Sequence, residues 1–116
     1  MDLAQQSDAA IWRIVNPIMD NLMEASTAID YARHVRDFTP RARSMLTQEG
    51  FDALCECYQS SQGLFAEREP VALFRRAESV AVIWRQRFTR QPGDFVAEMV
   101  LVQSGDRYLV DHVLVF

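Results

Sequence analysis

Lysine is missing from this chain: all 12 basic side chains among its 116 residues are arginine, set against 16 acidic ones, for a net charge of −4. A uniform replacement of Lys by Arg reads as compositional bias, because a bidentate role needs arginine at one place and not everywhere. The acidic balance lacks the basic face that phosphate neutralisation demands, which argues against nucleic acid as a partner. No apolar run approaches the ~18 residues of a membrane span. The opening residues Met1-Asp2-Leu3-Ala4-Gln5-Gln6 show neither the basic nor the apolar region of a signal peptide, so the expected location is cytoplasmic.

Cysteine is equally scarce, with Cys55 and Cys57 the only two. On a helix they point about 200° apart, so they neither pair nor chelate one metal together. Cys55 falls on the apolar side with Phe51, Leu54 and Tyr58 and reads as a small buried hydrophobe; Cys57 should be exposed. No disulfide framework is expected. The two histidines, 34 and 112, stand too far apart to announce a metal site. There is no glycine-rich phosphate loop and no nucleophile elbow. No cofactor and no metal are expected.

What is present is an ordinary globular composition, 49% hydrophobic and 24% charged, of a length suited to one domain over 1–116, with residues 1–8 expected to be loosely ordered. Apolar residues at Ile11, Val15, Ile18, Leu22 and Ala25 follow the helical period after a cap at Ser7-Asp8. Pro17 either kinks that helix or opens a second one behind Asn16. Thr27-Ala28-Ile29-Asp30 has the form of a capping box and predicts a short helix carrying Ile29, Ala32, Val35 and Phe38. Thr39-Pro40 should end it in a loop. Thr47-Gln48-Glu49-Gly50 opens another helix, which Gly63 should close.

After Gly63 the apolar period changes from 3.6 to 2. Four strands are predicted over 64–77, 79–90, 94–104 and 107–116, with turns at Gln91-Pro92-Gly93-Asp94 and Ser104-Gly105-Asp106. Pro70 removes a ladder donor and marks the first strand as an edge or a broken one. Short links imply an antiparallel meander, so the fold class is α+β: N-terminal helices packed on a curved four-stranded antiparallel sheet.

Alternation divides the strands into two faces. Val80, Val82, Trp84, Phe88, Phe95, Ala97, Met99, Leu101, Tyr108, Val110, Leu114 and Phe116 should meet the helices, together with the polar Gln86 and His112. The other face holds Ile83, Arg85, Arg87, Val96, Glu98, Val100, Val102, Leu109, Asp111, Val113 and Val115. That face is too apolar for water, since a solvated antiparallel face normally alternates to polar residues. A homodimer is therefore expected to bury Ile83, Arg85, Arg87, Glu98, Val100, Val102, Val113 and Val115, with Arg85 or Arg87 paired to Glu98 or Asp111 across strands or across the interface.

The order of elements resembles the NTF2-like (cystatin-like) superfamily, closest to its short bacterial members. Leu46-Thr47-Gln48-Glu49-Gly50-Phe51 leading to Gln62-Gly63-Leu64-Phe65, Val80-Ala81-Val82-Ile83-Trp84-Arg85 and Tyr108-Leu109-Val110-Asp111-His112 carry the likeness over about residues 9–116. The resemblance implies a cone of curved sheet closed by helices, with dimers formed through the outer sheet face. It does not select a function, because the superfamily hosts isomerases, dehydratases, transport factors and domains of unknown activity. The Asp base and the Tyr and acid oxyanion hole of its ketosteroid-isomerase kind have no matching positions here.

Within that cone, His112 and Gln86 define the polar end of a candidate ligand pocket, walled by Trp84, Tyr108, Tyr31 and Tyr58. The plainer reading of His112 is a core histidine bonded to a carbonyl or a water. Asp111 and His112, adjacent on a strand, face opposite ways and form no acid–base pair. His34, with Arg33, Arg36, Arg41 and Arg43 nearby, is either a solvated face offset by Asp30 and Asp37 or an anion-holding patch. Function is expected to be binding of a small molecule or protein partner in or around the cone. The alternative is an isomerase or dehydratase using a pocket histidine.

Overall fold

Four short polar side chains start the four helices. In the computed structural model, which describes residues 2–116, Ser7 accepts a hydrogen bond from the amide of Ala10 (3.1 Å), Asp30 from Arg33 (3.2 Å), Thr39 from Ala42 (3.1 Å) and Thr47 from Gly50 (3.0 Å). Each cap satisfies an amide with no partner inside its helix and is worth about 1 kcal/mol. They open α1 (Asp8–Thr27), α2 (Tyr31–His34), α3 (Pro40–Ser44) and α4 (Gln48–Ser61). One continuous helix runs through Pro17.

Two local expectations change. Thr27 ends α1 instead of opening α2, and Asp30 is the cap. The segment after Thr39 is a helix and not a loop, because Pro40 at its first position lacks only an amide that would have had no partner there. Residues 2–8 fall in the segment expected to be loosely ordered. Leu3–Gln5 form a 3-10 turn whose Leu3 is buried in the core, and the Leu3 amide donates to Gln103 Oε1 (2.9 Å). Met1 lies outside the described residues.

The α1 terminus carries strain. Ala25 and Ser26 carbonyls accept from the amides of Asp30 (2.8 Å) and Ile29 (3.1 Å), the paired bonds of a Schellman motif. Its left-handed position, normally glycine, is Ile29 at φ 52°. A β-branched residue there costs about 1–2 kcal/mol, partly offset by the half-buried side chain. Ile29→Gly is expected to raise stability by up to about 1 kcal/mol in urea unfolding; a lower midpoint would show that Ile29 packing dominates. Gly63 (φ 92°), by contrast, is obligatory: a Cβ would sit 2.3 Å from Thr89 Oγ1 as α4 turns into the sheet.

The sheet is an open antiparallel meander in the order β1 (Phe65–Arg75), β2 (Ser79–Phe88), β3 (Phe95–Ser104), β4 (Arg107–Val115). Pro70 lies in the edge strand β1, beside a bulge between Pro70 and Ala72, where a missing amide is tolerated. The core lies between the inner sheet face and α1: Val80, Val82, Trp84, Ala97, Met99, Leu101 and Val110 meet Ile11, Val15, Met19 and Leu22.

A bulge in β4 alters the expected faces. Val100 pairs with His112, but Leu101 pairs with Val110, leaving Asp111 as the extra residue of β4. Directly opposed residues share a face. His112 therefore joins Val100 on the outer face, and Leu114 joins Glu98 there. Val113 and Val115 pair with Met99 and Ala97 and pack on the core. The strict alternation that put His112, Leu114 and Phe116 inside, and Val113 and Val115 at an outer interface, fails beyond Val110. Phe116, past the end of β4, is 59% exposed.

Candidate functional site

Helices α1, α2, α3 and α4 meet the ends of β1, β2 and β4 around a cavity of about 380 Å³. Its wall is mainly apolar: Met19, Leu22, Met23, Phe38, Phe51 and Val113 are among the lining residues. Three exposed apolar side chains, Met45, Leu54 and Leu114, stand among them. Leu54 was expected on the buried stripe of α4, and it contributes to the cavity instead.

Besides Gln62 and His112, polar groups reach this wall at three places. Ser26 Oγ lies 2.7 Å from the Tyr58 hydroxyl and 3.4 Å from Cys55 Sγ, a cluster that joins α1 to α4. Burial raises the Cys55 thiol pKa, and the Ser26 contact only partly opposes it, so this cysteine stays protonated. A second polar place is His34. Its Nδ1 lies 3.1 Å from the Leu22 carbonyl oxygen. A carbonyl only accepts, so Nδ1 carries the proton. The ring sits between Phe51 (4.6 Å between centroids) and Phe38 (5.5 Å). Burial lowers the His34 pKa against the opposing pull of the Leu22 bond, and the imidazole is neutral at pH 7.

The third place is the bulge. Asp111 Oδ1 accepts from Thr39 Oγ1 (2.8 Å) and from Arg41 Nε (3.1 Å), while Arg41 also donates to the Asp111 carbonyl (2.5 Å). The Arg41 guanidinium, seconded by Thr39, holds the Asp111 carboxyl below the usual carboxylate range. Together with Thr39 N to Val110 O (2.9 Å) and Val110 N to Asp37 O (2.7 Å), these bonds fasten the start of α3 to the edge of β4. They also cover part of that open edge.

The structure brings together only part of the expected pocket. Tyr58 and His112 line the cavity. His112, however, approaches it from the outer sheet face, where its Nε2 lies 2.6 Å from Glu98 Oε2. Trp84 is buried in the core, donating its Nε1–H to Asn16 Oδ1 (2.9 Å). Gln86 is also fully buried and donates to the carbonyls of Ala66 (3.1 Å) and Arg87 (2.9 Å). Tyr31 donates to the Leu46 carbonyl (2.6 Å), and the Tyr108 hydroxyl accepts from Gln6 Nε2 (3.3 Å). These four lie outside the cavity lining.

His34 is the residue that the charge pattern hid. Four arginines near it suggested solvent, yet it lies three residues after Tyr31 and four before Phe38, the spacing of one helical face. The flanking arginines turn outward: Arg33 bridges to Glu24 (2.6 Å) and Arg36 to Asp37 (3.1 Å). Among the described residues no cluster of three or more His, Cys, Asp or Glu side chains is placed to hold a metal.

On the outer face, Ile83, Val96, Val100, Val102 and Leu109 are only half-buried. Within one chain, the expected cross-strand pairing of Arg85 or Arg87 with Glu98 or Asp111 does not occur. Arg85 meets Asp94 (3.3 Å), and Arg87 meets Glu69 (3.0 Å) and Asp94 (3.3 Å). The register places Ile83, not an arginine, opposite Glu98, and Asp111 is taken by Arg41.

No family model matches this sequence, and no curated protein does. Solved structures do. A SEC-C motif containing protein from Rhodopseudomonas palustris is 14% identical and superposes with a TM-score of 0.61 over 84% of this chain and 74% of its own. A domain of unknown function with a cystatin-like fold from Nostoc punctiforme is 11% identical, with a TM-score of 0.56 over 94% of this chain and 78% of its own. A Bdellovibrio bacteriovorus protein is 9% identical, with a TM-score of 0.55; the match covers 94% of this chain and 42% of that one. At such identities the likeness concerns architecture alone, and helices followed by an open four-stranded antiparallel sheet make this a domain of the cystatin-like fold.

Proposed function

We propose that this domain binds a small, largely apolar molecule in the cavity between its helices and the end of the sheet. The observation that carries this reading is a cavity of about 380 Å³ with an apolar wall and few polar groups. That is the composition and the lower size range of small-molecule sites. Exposed Met45, Leu54 and Leu114 offer an entering ligand apolar contact. Methionine methyl resonances provide the test. On titration with naphthalene, Met19, Met23 and Met45 are expected to shift saturably while Met99, in the core outside the cavity lining, stays still. No saturable shift would remove the reading.

A histidine-dependent isomerase or dehydratase is the second reading. The observation favouring it is that two imidazoles line the cavity, the expected His112 and also His34, which burial keeps neutral. Two free thiols, one buried and one exposed, fit a reducing cytoplasm. No helix of the described residues is long and apolar enough to cross a membrane.

We also propose that the outer sheet face joins two copies of the chain. Arg85, Arg87, Glu98 and His112 are already partnered within one chain, so the apolar rows between them present a neutral surface suited to a second copy. Sedimentation is expected to show a dimer that Val100→Glu dissociates. A wild-type monomer at about 100 µM would set weak self-association of roughly micromolar strength aside.

A further inference from the structure

We propose that the cavity selects neutral apolar molecules bearing a hydroxyl, an alcohol or phenol, whose O–H donates to Nε2 of His34; this rests on the ligand-binding reading above. Three observations converge on it. The Leu22 carbonyl accepts a hydrogen bond from Nδ1–H and the two flanking phenylalanine rings fix the imidazole plane. Nε2 is then an acceptor, and among the described residues it has no hydrogen-bond partner. Most other polar groups of the wall are occupied, Ser26 with Tyr58 and Cys55, Asp111 with Arg41 and Thr39, His112 with Glu98; the Gln62 side chain also lines it.

Charge narrows the class further. Arg41 and Asp111 compensate each other, and burial disfavours the imidazolium form of His34. A carboxylate entering this wall would lose its hydration with no free cation to meet it. A neutral hydroxyl on an apolar body loses little and gains the His34 bond. A group that only accepts gains nothing from Nε2.

Four probes of one shape separate these possibilities: naphthalene, 2-naphthol, 2-methoxynaphthalene and 2-naphthoate. The full chain is expected to bind 2-naphthol about tenfold more tightly than naphthalene, the ratio for one well-made hydrogen bond. The methoxy compound and the naphthoate should gain nothing over naphthalene. His34→Phe keeps an aromatic ring between Phe38 and Phe51 and should bring 2-naphthol down to naphthalene. Should that variant fail to fold, the ¹⁵N resonance of His34 Nε2 in the wild type provides the readout, moving with 2-naphthol and not with naphthalene. Equal binding of naphthalene and 2-naphthol overturns the His34 assignment and leaves the cavity reading standing. Tightest binding of 2-naphthoate overturns the neutral class. Binding of none of the four overturns both readings.

Discussion

Trp84→Ala is expected to destabilise the domain by about 3–5 kcal/mol, the range for removing a buried tryptophan. Trp84 is 1% exposed, packs edge-on against Trp12 at 5.7 Å and lies 5.2 Å beneath the Arg68 guanidinium. Its indole N–H is bonded to Asn16 at the centre of α1, so one side chain ties sheet to helix by area, by ring geometry and by a hydrogen bond. Small domains have stabilities of about 5–15 kcal/mol in total, and this loss is enough to populate unfolded chains at 25 °C. Trp84→Phe keeps an aromatic ring but leaves Asn16 Oδ1 without its donor, and should cost about 1–2 kcal/mol. Urea unfolding checks both. A cost below about 1 kcal/mol for the alanine variant would mean that the core does not close around this ring.

Val113→Asp and Leu114→Asp form the second large prediction, and they are opposite in outcome. Val113 faces Met99 and packs on the core, so a carboxylate there should cost about 2–4 kcal/mol. Leu114 is 49% exposed on the outer face, and the same substitution should stay within about 0.5 kcal/mol in a monomer. An uninterrupted β4 would reverse the order, with Leu114→Asp the damaging change. The comparison therefore reads the bulge at Asp111 directly in solution.

The bulge had a trace in the sequence. Aspartate is depleted in strands, and Asp111 interrupts an otherwise β-favouring run from Tyr108 to Val115. Its consequence had none. Which face His112 takes depends on one extra residue in β4, and that residue is anchored by Thr39 and Arg41, 72 and 70 positions earlier. His34 was legible in part: its spacing from Tyr31 and Phe38 marks the buried side of a helix, while its arginine neighbours point to the wet one. Periodicity and charge disagreed locally, and only the Leu22 carbonyl and the Phe51 ring, from two other helices, resolve the disagreement.

The sequence by itself determined the α+β class, the capped starts of α1 and α4, the glycine that ends α4, the four strands in order and the inner faces of β2 and β3. These follow from local physics: caps, left-handed glycines, and periods of 3.6 and 2 set by backbone geometry. Tertiary structure decided the faces of β4 beyond Val110, the burial of Leu3, the ion pairs of the outer sheet face and the cavity with its histidine. Each of these depends on pairing between residues distant in the chain. A one-residue change in strand register turns a side chain from core to surface while leaving its local sequence untouched.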